Sequence, residues 1–413
     1  MIIFNKFPLR INKFSIIILL LITLSLVLLS FFTSQEINSK KSLSKELIAT
    51  NSAQLQLERF KVFSKKFLIA YNENQSVVYA VKRKEGGIHK VYLDSKNKNP
   101  LIEEFIELPK INSRNSLFVL DMSFDNNDIY VSFVGENSKK DECNYFYLYA
   151  YNLSNENWKR LFKSTPCIPK LPFHDIGGKI AFNANSIFIS GGNIFTIHKN
   201  EENIKNYTDL MEKTNIFGSV VKIDKKSLKS KKISNGHRSP SGLFWDSSRN
   251  ILWETEHGPR GGDELNLIKN NQDYGWPNVT YGEKYHKKNE SDFNTTYNNH
   301  EGYKKPFHTW VPSIGVSQIG IIVGNGEFSN YWDNSLIVAS LKDRSLYRLR
   351  IEKDRLIYSE RIYIGERLRS LIITPNLILS SSDKGNLLVI KISKDGLAGG
   401  HSLPLKLIRT KIS

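Results

Sequence analysis

The sequence predicts an all-β, six-bladed β-propeller preceded by one N-terminal transmembrane helix. Six short runs of β-branched and aromatic residues recur along the chain, and Asn- and Asp-rich turns precede most of them. Helical periodicity is nearly absent after residue 34. With 413 residues, 40% of them hydrophobic and 24% charged, the chain has the composition of a folded protein and not of a disordered one.

Most of the six runs form the second strand of a predicted hairpin. Leu120–Phe124 and Ile129–Phe133, for example, flank the turn Asp125–Asp128. Hairpins that close into a ring leave no exposed sheet edge, which favours a propeller over an open sandwich. The uneven spacing predicts long insertions, most clearly at 281–305. The six runs are Val77–Val81, Ile129–Phe133, Ile187–Ser190, Ile251–Trp253, Leu336–Ala339 and Leu377–Ser380.

The N-terminal segment has the properties of a membrane anchor. Phe14–Phe32 is an apolar run of 19 residues, close to the ~20 that cross a bilayer as a helix. Lys6, Arg10 and Lys13 precede it, which places the N-terminus in the cytoplasm and the rest of the chain outside. We therefore expect a single-pass protein of the cell inner membrane, bound to the membrane through this helix, with its propeller facing the periplasm.

The predicted domain order follows from this anchor. Residues 1–34 form a cytoplasmic stub and a membrane anchor or signal segment, residues 35–55 form a polar linker, and residues 56–413 form the propeller. Cleavage near residue 34 would instead release the propeller into the periplasm, so a signal peptide is the alternative to an anchor.

The charge of the chain is strongly basic. Lys and Arg number 58 and Asp and Glu number 41, which gives a net charge of +17, of which +14 lies beyond the anchor. Such a surface attracts anions, although a Lys- and Asn-rich composition also produces it without any ligand. The sequence contains no nucleic-acid-binding motif, so we expect no nucleic acid partner.

The chain has two cysteines, Cys143 and Cys167, in the same region between strands. In an oxidising compartment an isolated pair predicts a disulfide more strongly than a metal site, because a metal would need further ligands nearby. Two buried free thiols are the alternative. Neither cysteine belongs to a haem-attachment motif.

Unusual residues flank the predicted hairpins at one end of the ring. The start of a hairpin's first strand and the end of its second lie at the same sheet end, so the segments at these points meet. They contain a histidine, several cations and glycine-rich turns, where a ligand can approach backbone carbonyls closely. Several cations directed at one spot favour an anionic ligand, and a polycarboxylate is the best chemical match. The segments are His174–Gly178, Gly191–Asn193, Gly236–Pro240, Glu256–Glu264, Lys342–Arg344 and Arg367–Arg369.

One long segment carries a specific resemblance to a known family. Residues 236–282 contain EHGPRGGDE at Glu256–Glu264 and DYGWP at Asp273–Pro277. The segment resembles the glucose/sorbosone dehydrogenase family, the soluble PQQ-dependent aldose sugar dehydrogenases. Weaker matches extend the resemblance over most of residues 110–395. The six-bladed propeller of that family agrees with the fold predicted from the apolar runs.

The resemblance implies a quinone site on the rim, with PQQ, a tricarboxylate quinone, and Ca²⁺ as cofactors. The histidine matching His174 is the general base for the anomeric hydroxyl of an aldose substrate, while hydride passes to PQQ. An external electron acceptor then receives the electrons. Gly258 and Pro259 offer backbone carbonyls to Ca²⁺. The residues implied to hold PQQ are Arg238, Ser239, Lys342, Arg367 and Arg369.

The sequence departs from the family pattern at several positions of this site. Ser239 replaces an Asn, Lys179 an Arg and Asn193 an Asp, and Ser116 stands where the family has a Gln. These changes support a second interpretation, a non-catalytic sugar- or ligand-binding propeller. A calcium-dependent lactonase-type hydrolase is a third, but such a site holds its metal with acidic side chains, whereas this rim is mostly cationic.

Overall fold

The computed structural model describes the chain in ten segments. The segment predicted to cross a membrane lies outside them, as do His174, Cys167 and the side chain of Cys143, so the predicted disulfide remains a prediction. In the described part of the chain, no helix is long and apolar enough to span a bilayer. The described residues are 46–84, 86–93, 100–111, 117–136, 143–166, 168–169, 176–193, 213–283, 296–297 and 299–394.

These residues are mostly β-structure, with a four-residue helix, α1 (Ser329–Trp332), between two strands. In chain order the strands are β1 (Glu46–Ala49), β2 (Gln54–Lys61), β3 (Phe67–Asn72), β4 (Val77–Lys82), β5 (Ile88–Tyr92), β6 (Leu101–Ile106), β7 (Leu117–Asp125), β8 (Asp128–Glu136), β9 (Cys143–Asn152), β10 (Asn157–Lys163), β11 (Ile168–Pro169), β12 (Gly177–Phe182), β13 (Ser186–Gly191), β14 (Ser219–Asp224), β15 (Ser230–Asn235), β16 (Pro240–Asp246), β17 (Ile251–Glu256), β18 (Asp263–Ile268), β19 (Gln272–Asp273), β20 (Val279–Thr280), β21 (Thr296–Tyr297), β22 (His308–Trp310), β23 (Val316–Ile321), β24 (Leu336–Ser340), β25 (Ser345–Glu352), β26 (Arg355–Tyr363), β27 (Leu368–Ile373), β28 (Ile378–Ser382) and β29 (Asn386–Ile392).

The main sheets are the six blades of a propeller. Blades one and two are β3–β6 and β7–β10, with β11 added to β9. Blade three is β12–β15 with β19, blade four is β16–β18 with β22, and blade five is β23–β26. Blade six combines β27–β29 with β2 and β1 from the start of the described chain. The innermost strands contact one another in the order β3, β7, β12, β16, β23, β27 and back to β3, which closes the ring. The predicted six-bladed propeller is therefore confirmed.

The predicted hairpins are also confirmed. The six apolar runs coincide with β4, β8, β13, β17, β24 and β28, the second strand of each blade. The turns use residues that tolerate a positive φ, such as Asn126 at 55° and Asn250 at 57°. The strand register brings the segments of the rim together in pairs. Gly177 pairs with Gly191, and Pro240 pairs with Glu256, at the same sheet end.

The last blade is closed by β2, most of which lies in the predicted propeller, residues 56–413. β1 and the first two residues of β2 fall within the predicted linker, residues 35–55, so the last blade also includes part of that segment. β2 pairs with β29 over seven residues, from Leu55 opposite Ile392 to Lys61 opposite Asn386. It buries Leu55 and Leu57 among side chains of blades five and six. Placing β2 beside β29 in one sheet closes the ring.

Leu57→Ala is therefore expected to lower the free energy of unfolding by about 3 kcal/mol, because it leaves a cavity in a packed core. Leu57 has 0% exposure, whereas Leu47 on β1 is 50% exposed. Leu47→Ala makes the same chemical change at the surface and should cost less than about 1 kcal/mol. Urea unfolding of both variants measures the difference. Equal losses would show that β2 does not close the ring.

Candidate functional site

A cavity at the centre of the ring receives residues from all six blades. Its lining contains three cations and no acidic side chain among the described residues. Two of the residues predicted to hold a cofactor, Ser239 and Arg369, lie in it. The lining residues are Leu68, Arg83, Leu120, Ile176, Gly177, Lys179, Ser239, Pro240, Ser241, His257, Ser317, Leu341 and Arg369.

Arg238 lies beside this cavity on blade four. One terminal nitrogen of its guanidinium donates to the carbonyl oxygens of His257 and Gly258, both at 3.0 Å. The guanidinium also lies over the Trp276 ring, 5.1 Å from its centroid. The buried Nε has no hydrogen-bond partner in the described part of the chain. An unsatisfied buried donor on a cation is costly, and an anion would relieve that cost.

Arg367 and Arg369 share one carboxylate, that of Asp383. Arg367 Nε lies 2.8 Å from Asp383 Oδ2, and Arg369 contacts both oxygens, at 2.5 and 3.1 Å. Burial opposes ionisation of Asp383, but the hydrogen bonds and charges of the two arginines outweigh it and hold its pKa below the usual value. Two guanidiniums against one carboxylate leave a net positive charge at this edge of the cavity.

Lys342 is separated from the other predicted cofactor residues. Its neighbour Leu341 faces the central cavity, while Lys342 lines an adjacent groove together with Trp310, Tyr347 and Arg361. Its backbone is at the rim, because Lys342 N donates to Ile314 O at 3.0 Å. The structure thus brings Ser239 and Arg369 into one cavity, places Arg238 and Arg367 at its edge and leaves the Lys342 side chain outside.

The loop with the predicted calcium ligands is built from closely packed peptides. A Cβ atom on Gly258 would overlap the carbonyl oxygens of Gly261 and Gly262, so only glycine fits there. Gly261 and Gly262 have φ of 92° and 66°, which glycine adopts readily. Gly258 and Pro259 are buried. Carbonyl oxygens suit Ca²⁺ chemically, but the Gly258 carbonyl already accepts a hydrogen bond from Arg238.

The sequence profile of the Glucose / Sorbosone dehydrogenase family matches residues 71–389, which is most of the propeller. The chain belongs to this family. An uncharacterized Synechocystis protein is 34% identical over 159 residues, which cover 38% of this chain and 37% of that protein. The aldose sugar dehydrogenase YliI of Escherichia coli is 32% identical over 165 residues, 38% of this chain and 43% of that one. The matched segments thus span about two fifths of these curated relatives.

Solved structures share the fold of this glucose/sorbosone dehydrogenase family member. A glucose dehydrogenase has a TM-score of 0.65 with 23% identity, over 81% of this chain and 99% of that one. The apo form of the soluble aldose sugar dehydrogenase of E. coli also has a TM-score of 0.65, with 20% identity over 82% and 99% of the two chains. At this level of identity the likeness shows the fold alone.

A buried network of acids supports the rim of this family member from below. Glu256 accepts hydrogen bonds from the backbone N–H groups of Arg238 at 2.6 Å and Ser239 at 3.2 Å. The Asn266 amide donates to Glu256 at 2.9 Å and to Glu254 at 3.0 Å. His237 lies with Nδ1 3.4 Å from Glu256 and stacks on Tyr274. These residues lie within the segment 236–282, and we assigned them no role from the sequence. The network fixes the backbone that carries Arg238 and Ser239.

Glu254 is completely buried in this network. Its complete burial raises its pKa well above the usual value, and the charge of Glu256 raises it further. Between the ordinary carboxyl pKa and this raised value, the folded protein keeps a proton that the unfolded chain has lost. The free energy of unfolding therefore falls as the pH rises through that window.

Glu254→Gln, which mimics the protonated acid, is expected to be more stable than the wild type above neutral pH and to show a shallower decline of stability with pH. Thermal unfolding between about pH 5 and pH 9 measures both effects. Glu301, an exposed acid, provides the control, and Glu301→Gln should follow the wild-type profile. Parallel profiles for Glu254→Gln and the wild type would contradict a neutral Glu254.

The structure also places in the cavity two residues to which we assigned no specific role from the sequence. His257, within EHGPRGGDE, lines the cavity, and its Nδ1 lies 3.8 Å from Asp263 Oδ1. Burial opposes ionisation of Asp263, but the nearby His257 imidazole and a hydrogen bond from the Val316 N–H hold its pKa below the usual value. Lys179 forms a buried pair with Asp121, Nζ to Oδ1 at 3.4 Å. The sequence signal that could have identified His257 as a site residue is its position next to a glycine-rich, acid-rich motif.

Proposed function

We propose that this protein oxidises an aldose at its anomeric carbon to the lactone, with PQQ and Ca²⁺ as cofactors and an external electron acceptor. The observation that carries the proposal is the cationic cavity at the centre of a glucose/sorbosone dehydrogenase propeller, with Arg369 in its wall and the unsatisfied Arg238 at its edge. The lining contains no acidic side chain in the described part of the chain, which argues against a lactonase that holds its metal with carboxylates.

The residues at this cavity fit a tricarboxylate quinone. Guanidinium groups bind carboxylates with two parallel hydrogen bonds, and Arg238 and Arg369 belong to different blades, four and six. Ser239 lines the cavity and carries a hydroxyl group. When bound, PQQ would accept a hydride, and with it two electrons, from the sugar. The chain's own residues would orient it and balance its charge.

Calcium would be held by the carbonyl oxygens of Gly258 and Pro259. The Gly258 carbonyl accepts a hydrogen bond from Arg238, so Arg238 and a cation compete for this oxygen. A carboxylate that draws the Arg238 guanidinium away would free the carbonyl for the metal. This links the two cofactors, and each should increase the affinity of the site for the other.

We propose His174 as the general base that takes the proton of the anomeric hydroxyl. Imidazole titrates near neutral pH, which suits this role. Ile176 and Gly177, which follow His174 closely in sequence, line the central cavity. His257 provides a second imidazole in the same cavity and therefore a matched comparison.

Reconstitution tests the proposed function. Purified protein with PQQ and Ca²⁺ should reduce an artificial dye when an aldose is added. His174→Ala should abolish turnover and retain bound quinone absorbance, whereas His257→Ala should retain measurable turnover. Bound PQQ without dye reduction for any aldose would favour the non-catalytic binding propeller, and equal loss in both variants would contradict His174 as the specific base.

We also propose that residues 1–34 anchor the protein in the inner membrane, with the propeller in the periplasm. The support is the apolar run Phe14–Phe32 behind basic residues. Fractionation after alkaline carbonate extraction tests this, because an anchored protein stays in the membrane pellet. Recovery in the soluble periplasmic fraction, with an N-terminus near residue 35, would show a cleaved signal instead.

A further inference from the structure

Blade one contributes an arginine to the cavity that the family resemblance did not assign. Arg83 directly follows β4, the same rim position from which the other blades supply their site residues. Its Nε donates to the Val119 carbonyl at 3.0 Å, and its guanidinium lies over the Phe118 ring, 4.4 Å from the centroid. These contacts hold the side chain in the wall of the cavity that Arg369 and Lys179 also line.

The two acids near Arg83 are already paired with other cations. Asp121 accepts hydrogen bonds from Lys179 and from the Ile180 N–H, and Asp383 is shared by Arg367 and Arg369. The two terminal nitrogens of Arg83 make no hydrogen bond to any described residue. Burial and the charge of Arg369 lower the pKa of Arg83 to about 10. Cations that line one cavity repel one another, so an anion is expected to complete this arrangement.

The charge and shape of this wall select a carboxylate. The guanidinium presents a planar fork, Phe118 and Leu120 make the surroundings apolar, and Lys179 and Arg369 add positive charge. A desolvated fork of this kind binds a planar two-oxygen anion strongly. A neutral sugar hydroxyl gains much less from it.

We propose that Arg83, supported by Lys179 and Arg369, forms a carboxylate-binding subsite on the blade-one side of the cavity. This inference rests on the proposed function and deepens it. The carboxylate comes from one of two sources: the PQQ cofactor itself, or an acidic sugar such as a uronic acid bound as substrate. In the first case Arg83 is a cofactor anchor opposite Arg238, and in the second it sets the preference for charged aldoses.

Arg83→Gln distinguishes the two sources, with Arg83→Lys as the charge-conserving variant and Arg160→Gln, at an exposed arginine, as the control. Without ligand, Arg83→Gln should raise the thermal midpoint, because it relieves the repulsion among Arg83, Lys179 and Arg369. If the cofactor supplies the carboxylate, PQQ titrated into the protein with Ca²⁺ should bind Arg83→Gln about 10- to 100-fold more weakly, with partial recovery in Arg83→Lys.

If the substrate supplies the carboxylate, PQQ affinity should be unchanged and KM for glucuronate should rise about tenfold or more, with KM for glucose unaltered. PQQ affinity and both KM values equal to those of the wild type would overturn the subsite. Failure of the wild type to bind PQQ would instead overturn the proposed function, so the two failures are distinguishable.

Discussion

Glu256→Ala is expected to lower the free energy of unfolding by about 3 kcal/mol and to abolish measurable PQQ binding. Glu256 is 3% exposed and accepts the backbone N–H groups of Arg238 and Ser239 as well as the Asn266 amide. Its removal takes away the acceptor of two backbone N–H groups and one acceptor of the Asn266 amide, and it releases the backbone that carries Arg238 and Ser239. Urea unfolding and PQQ titration of the same preparation measure the two losses.

Two further variants make the Glu256 experiment specific. Glu256→Gln keeps the shape but places an NH₂ group among donors, so its losses should be intermediate. Glu301→Ala, at an exposed acid, should behave as the wild type in both assays. Stability of Glu256→Ala within about 0.5 kcal/mol of the wild type would contradict a supporting role for the buried acid network.

Arg369→Gln is expected to weaken PQQ binding about 100-fold, whereas Arg367→Gln should weaken it by less than about tenfold. Arg369 is 19% exposed and lines the cavity, while Arg367 is 46% exposed and reaches only the shared carboxylate of Asp383. A desolvated guanidinium contributes more to anion binding than one in contact with water.

The two arginine variants also test whether Asp383 keeps an ion-pair partner when one arginine is replaced. In Arg369→Gln, Asp383 keeps Arg367 as its partner, so the fold should be retained and the loss should be confined to binding. Equilibrium titration with PQQ at fixed Ca²⁺ measures the affinities, and thermal unfolding measures the stabilities. Equal losses of affinity in the two variants would contradict the assignment of Arg369 as the cavity-facing cation.

The fold was largely predictable from the sequence because each blade is a local hairpin. The turns at Asn126 and Asn250 and the apolar second strands are signals contained within a few residues. The closing strand β2 was missed because its pairing with β29 joins opposite ends of the propeller. Its alternation was nevertheless visible, since Leu55 and Leu57 are buried and Gln56 between them is not fully buried.

The candidate site was predictable in position but only partly in detail. The pairing of strand ends predicted that Ser239 and Arg369 lie at the same end of the ring, and the structure places both in one cavity. The direction of Lys342 was not predictable, because successive side chains alternate and its neighbour Leu341 faces the cavity instead. Arg83 was missed because its surroundings depend on blades one and six being neighbours, which only closure of the ring establishes.

Titration of the purified protein with PQQ in the presence of Ca²⁺, followed by quinone absorbance, is the most direct test of a quinone site in the cationic cavity. We expect saturable binding of one PQQ per chain that weakens strongly in Arg238→Gln and Arg369→Gln. We also expect weaker binding when Ca²⁺ is removed by a chelator. Absence of saturable binding, or equal binding by the wild type and both arginine variants, would contradict a quinone site in the cationic cavity.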